Sequence, residues 1–272
     1  MSHAAYQGLM AVHRWLDTHP PWFTVIKVAI FGALALTSTL YIVMDIRAAD
    51  VTLHSDSSFI DWVNMFAISV DYVAWYGLLL LYELETSALD DDALTGRWRW
   101  VFSGLSLVLY VLVFWALVGY LGKLWLVVDY APLGAGDLCS WPEPLVVMRN
   151  LDDFFAVTAQ NCAALNQAQL SGHLFALNQE PIIFDVRTYY GLGGAWSLAW
   201  ADALEAVLWI AVLAQIQVEI MLQVRGRLSS QLLARSQRLK SIFYVLIIAL
   251  TAYYSLFGRA LDLYDSVLWL LA

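Results

Sequence analysis

Carboxylates set inside long apolar stretches are the residues of this sequence whose type and spacing could do chemistry. Asp71 and Glu85 lie in one Trp-rich segment, Glu205 and Glu219 in another. Laid on each other without a gap, Trp62, Asp71, Val73, Trp75, Leu79 and Glu85 fall on Trp196, Glu205, Val207, Trp209, Leu213 and Glu219. The shared pattern W-x8-[DE]-x3-W-x9-E reads as an internal repeat of the parallel kind found among transporter halves. At 100° per residue, Asp71, Trp75, Tyr82 and Glu85 stay within about 40° of one direction, as do Glu205, Trp209 and Glu219.

A carboxylate at the bilayer centre is disfavoured by at least ~2.5 kcal/mol, so it calls for a proton, a cation or a basic partner. With Glu85 and Glu219 placed at the cytoplasmic interface, Asp71 and Glu205 stand about 21 Å away along their helices. That arrangement suits binding of a proton or cation by Asp71 and Glu205 near mid-depth, with Glu85 and Glu219 lining an inner mouth. The plainer alternative for each acid is an interhelical hydrogen bond. Asp202 adds a third acid close to Glu205. Arg259 is the candidate counter-charge, with Asp262 at i+3 and Asp265 beyond, although a self-contained Arg259–Asp262 pair explains both residues as well.

The elements that must hold these residues follow from composition. Of 272 residues, 61% are hydrophobic and 14% charged, against roughly 45–50% and about 25% in soluble chains. This excludes a soluble enzyme, a disordered chain and a nucleic-acid binder. Five stretches meet the ~20 residues needed to cross hydrocarbon: about Val25–Met44, Phe59–Glu83, Trp98–Val128, Ala195–Val224 and Ser241–Leu271. The expected fold is an all-α polytopic membrane bundle of five transmembrane helices with an extracytoplasmic cap loop of 60-odd residues. It divides into a cytoplasmic segment 1–23 with a short interfacial helix, helices 1–3 over 24–129, the cap over 130–193, and helices 4–5 over 194–272.

Orientation follows the basic residues. Arg225, Arg227, Arg235, Arg238 and Lys240 form a stretch without acids, whereas the 130–193 segment is acidic. The former is expected in the cytoplasm, which places the N-terminus inside and the C-terminus outside. The compact loops suit a bacterial inner membrane. Cys139 and Cys162, the two cysteines, both fall in the outer segment and are expected to form a disulfide worth about 3 kcal/mol. Trp22, Trp125, Trp141 and Trp269 read as interfacial anchors, and Lys123 and Asp129 as part of an outer polar belt.

Several chemistries lack their residues. The five histidines fall outside the spans, which removes a bis-His haem. No lysine sits at mid-depth in the last span for a retinal, and no phosphate loop, H-E-x-x-H or G-x-S-x-G motif is present. No cofactor and no catalysis are expected. The leading expectation is a proton or cation channel or carrier, as a homo-oligomer or with a membrane partner. The alternative is a non-catalytic subunit or scaffold of a larger membrane complex.

Overall fold

A long apolar stretch has few side chains to pair with its backbone N–H and C=O groups, and these stretches satisfy them within themselves as helices. The computed structural model describes residues 20–53, 55, 57–84, 97–133, 136–141, 144–151, 153–177 and 182–272. The proposed interfacial helix and Glu85 lie outside these. The helices are α1 (Pro20–Thr52), α2 (Phe59–Met65), α3 (Ala67–Glu83) and α4 (Arg97–Val128), then α7 (Ala195–Val224), α8 (Ser230–Phe257) and α9 (Ala260–Leu271). Between α4 and α7 lie β1 (Tyr130–Pro132), β2 (Val146–Asn150), β3 (Asp153–Ala156), α5 (Cys162–Leu170), β4 (Leu174–Leu177), β5 (Ile182–Asp185) and α6 (Val186–Tyr189). Among the described residues four helices, α1, α4, α7 and α8, are long and apolar enough to span a membrane, and α2 with α3, bent by 62° at their break, would make a fifth if the pair is taken as one span.

The second span is therefore broken. Ser58 and Asp61 form a capping box that starts α2, with the Ser58 N–H 2.6 Å from Asp61 Oδ2. The helix is interrupted at Phe66, which exposes backbone donors at the start of α3. Asp45 of α1, 3% exposed, accepts there from the Ser69 backbone N–H at 3.0 Å and its hydroxyl at 2.6 Å. This carboxylate closes a helix end, which accounts for its burial. Helix α4 crosses the break closely: a Cβ on Gly119 would meet Ala67 Cβ at 2.5 Å and the Val63 carbonyl at 2.8 Å.

Two further expectations are corrected. The fifth span does not run from Ser241 to Leu271. Its helix starts at Ser230, capped by the Ser229 side chain, so Arg235, Arg238 and Lys240 are helical. It ends at Phe257, and α9 restarts at Ala260 with the Arg259 N–H held by Asp262 Oδ2 at 2.8 Å. Leu270 then packs on the cluster of Leu208, Val212 and Ile247, so α9 runs back beside α8 into the bundle. The chain is also not all-α. Residues 130–193 carry a five-stranded sheet of order β1-β4-β5-β2-β3, antiparallel except for β5 with β2.

That sheet is buried on both sides. Val146, Met148, Ile182 and Phe184 face a core shared with Val127 of α4, Leu198 of α7 and Tyr254 of α8. Their neighbours Val147 and Ile183 face a second core with Leu138, Trp141 and Cys162 beneath α5. Cys139 and Cys162 are bonded, with Cα atoms 5.1 Å apart. Below this cap the neighbour relations close a ring: α1 packs on α3, α3 on α4, α4 on α7, α7 on α8, α8 on α9, and α9 on α1. The outward faces stay apolar, with Val28, Leu107 and Val245 exposed.

Candidate functional site

Every member of that ring sends side chains to one internal cavity of about 130 Å³. Tyr41 comes from α1, Asp71, Tyr72 and Trp75 from α3, and Tyr120 from α4. Helix α7 supplies Asp202, Glu205 and Trp209, and α8 supplies Tyr254. Arg259, Asp262, Asp265 and Trp269 come from the head and body of α9. Five carboxylates thus share a wall with one guanidinium. Glu205 lies about 15 Å below the cap end of α7 at helical rise.

Four of the five acids are met by hydroxyls. Tyr120 donates to Asp71 at 3.1 Å, Tyr254 to Asp202 at 2.7 Å, and Tyr41 to Asp262 at 2.7 Å, while Thr37 reaches Asp265 at 3.4 Å. Arg259 binds Asp262 through Nη2 at 2.8 Å and Nε at 3.1 Å and lies over the Tyr41 ring at 5.8 Å. A hydrogen bond to a charged acceptor contributes about 1.5–3 kcal/mol. One such donor offsets most of the ~2.5–3.5 kcal/mol that a charge at the middle of a membrane costs. Tyrosine suits this work because its ring fills apolar space while its tip donates.

The two aligned segments differ in shape, since Trp62 and Asp71 lie on either side of the break at Phe66 while Trp196 and Glu205 share the continuous α7, but their acids and second tryptophans meet. Asp71 and Glu205 open on the same cavity, and Trp75 and Trp209, each four residues after its acid, have ring centres 6.1 Å apart. Trp62 and Trp196 are exposed. Asp202, Arg259 and Asp262 join the cavity as well. Glu219 does not reach it: this carboxylate pairs with Lys240 of α8 at 2.6 Å, at the end of the bundle away from the cap. Near that same end Lys27 and Glu83 pair at 2.5 Å.

Sequence reasoning passed over several cavity residues. Asp265 and Trp269, read from sequence only as a neighbour of the Arg259 counter-charge and an interfacial anchor, repeat the acid-x3-Trp spacing of Asp71–Trp75 and Glu205–Trp209, and that spacing was the available signal for the cavity. Trp269, expected at an interface, packs on Tyr72 at 6.4 Å instead. Trp141 belongs to the cap core rather than an interface. The tyrosines carried no positional signal. Lys123, expected in a headgroup belt, is 8% exposed and lines a separate cavity of about 350 Å³ between α1, α2, α4 and the sheet.

Among the described residues no three His, Cys, Asp or Glu side chains converge as metal ligands do. The arrangement can hold positive charge against spread acids and aromatic faces. No protein-family model, characterised protein or solved structure matches this chain.

Proposed function

We propose that this chain is an integral membrane protein forming a cation or proton pathway, as a channel or carrier whose binding site is the acidic cavity. The observation that carries this reading is that Asp71 and Glu205, one from each copy of the repeat, face a common space inside the bundle. Four of the five acids do take interhelical hydroxyls, as glue would, so the pathway reading rests on the space they border. Here an excess of carboxylates borders open volume, which attracts cations.

The basic residues beside α8 favour a cytoplasmic location for the end away from the cap. The cap and its disulfide then face an oxidising space, as in a bacterial inner membrane with a cytoplasmic N-terminus. In this orientation α9 runs back into the bundle from the extracytoplasmic side. The exposed apolar faces suit lipid and further copies of the chain, and a homo-oligomer is part of this proposal. It assigns no catalysis.

Purified protein in liposomes should dissipate an imposed proton or monovalent-cation gradient. Asp71→Asn and Glu205→Gln should each reduce that flux at least tenfold in protein that elutes as the parent does on gel filtration. Flux unaltered by both substitutions would refute the pathway. Absence of flux together with constant-ratio purification of another membrane protein would favour the subunit reading.

A further inference from the structure

We infer that the occupant of the acidic cavity is a small organic ammonium ion, whose charge is met by Asp71 and Glu205 and whose alkyl groups lie on the faces of Trp75, Trp209 and Trp269. This rests on the cation-binding function proposed above and names the class of cation. Three observations lead to it.

The first is the spacing of the acids. A bare Ca²⁺ or Mg²⁺ needs about six oxygens drawn to one point, and the described residues hold no convergent group of three acids. The five carboxylates come from three helices, Asp71 from α3, Asp202 and Glu205 from α7, and Asp262 and Asp265 from α9, with hydroxyls already bound to Asp71, Asp202, Asp262 and Asp265. They can balance a charge spread over several atoms better than they can replace the hydration shell of a metal.

The second is the wall between the acids. Trp75 and Trp209 meet at 6.1 Å, and Tyr72 lies 6.4 Å from Trp269 and 4.9 Å from Tyr41. Indole and phenol faces attract cations within about 6 Å of the ring and favour alkylated ammonium groups, which lose little hydration on entry. A hydrated inorganic ion or a proton relay gains little from such faces. The third is size. At about 130 Å³ the space is close to the ~150 Å³ cavity known to accept benzene, which suits a compact ion of several heavy atoms.

The test is calorimetric titration of the full-length protein in detergent with tetramethylammonium chloride, with sodium chloride as the control salt. Saturable tetramethylammonium binding is expected, undiminished by equimolar sodium. Glu205→Gln and Trp209→Leu should each weaken it at least tenfold, and Trp209→Phe should keep most of it. Trp75→Leu serves in place of Trp209→Leu if the latter elutes as aggregate. Tetramethylammonium should also compete with the liposome flux. No saturable binding, or binding indifferent to these substitutions, overturns the inference. If carboxylate-dependent proton or sodium flux persists while tetramethylammonium neither binds nor competes, this inference falls and the pathway stands. If tetramethylammonium binds as expected but no cation crosses, the ligand class stands and the pathway falls.

Discussion

A tyrosine hydroxyl that ends on a half-buried carboxylate holds more than its own packing, because removing it strands an acceptor. Tyr254→Phe should lower stability by about 1.5–3 kcal/mol through the bond lost to Asp202. Tyr264→Phe, at an exposed ring, should be silent. Thermal melting in detergent checks both, and equal melting points would remove the role given to the hydroxyl. In the cap, Asp137 is held below the usual carboxylate range by the Cys139 backbone N–H and then by the Asn166 amide. A lowered folded value means that its contribution is present above the ordinary carboxylate range and is lost as pH falls through the lowered value. Reduction of Cys139–Cys162 by a phosphine should therefore quicken in acid, and Asp137→Asn should flatten that dependence. Asp71 and Glu205 were readable because a charge in an apolar helix stands out. Their tyrosine and tryptophan neighbours were not, since amphipathic aromatics also line headgroup belts and nothing in the chain marks which is which.

At the scale of elements the break in the second span matters most. It gives α3 a free start inside the bundle, lets Asp45 close that start, and lets α4 approach across Gly119. Gly119→Ala should destabilise by about 1–3 kcal/mol, because the new methyl meets a backbone carbonyl that has nowhere to move. Gly104→Ala, with nothing near its Cβ position, should be neutral or mildly stabilising. Parallel melting curves decide between the two sites. Long helices were legible from hydropathy alone, yet their interruptions were not. At Gly258 the Arg259–Asp262 capping box marks a new start, but the apolar run on either side hides it within one apparent span. The sheet stayed invisible for a related reason. Strands of three to five residues buried on both faces, such as Val146–Asn150 and Ile182–Asp185, show no alternation for a reader to find.

Across the whole molecule the cap and the bundle share the Val127, Phe184 and Tyr189 core, with the Tyr189 hydroxyl bonded to the Val127 carbonyl. The disulfide spans 23 positions, so its loss should weaken the cap by about 3 kcal/mol on the chain-entropy model. A Cys139→Ala/Cys162→Ala variant should become protease-sensitive within 130–193 while keeping its helical circular dichroism. Cleavage indistinguishable from the parent would show that the sheet stands without its staple. The ring that surrounds the cavity is closed by α9 lying on α1, through Tyr41–Asp262 and Thr37–Asp265, residues more than 220 positions apart. Such distant closure comes late in folding, because a long loop has to be ordered before the contact forms. A chain folded only through α8 therefore holds its acids along an open trough, and the wall of the cavity is completed only when α9 meets α1.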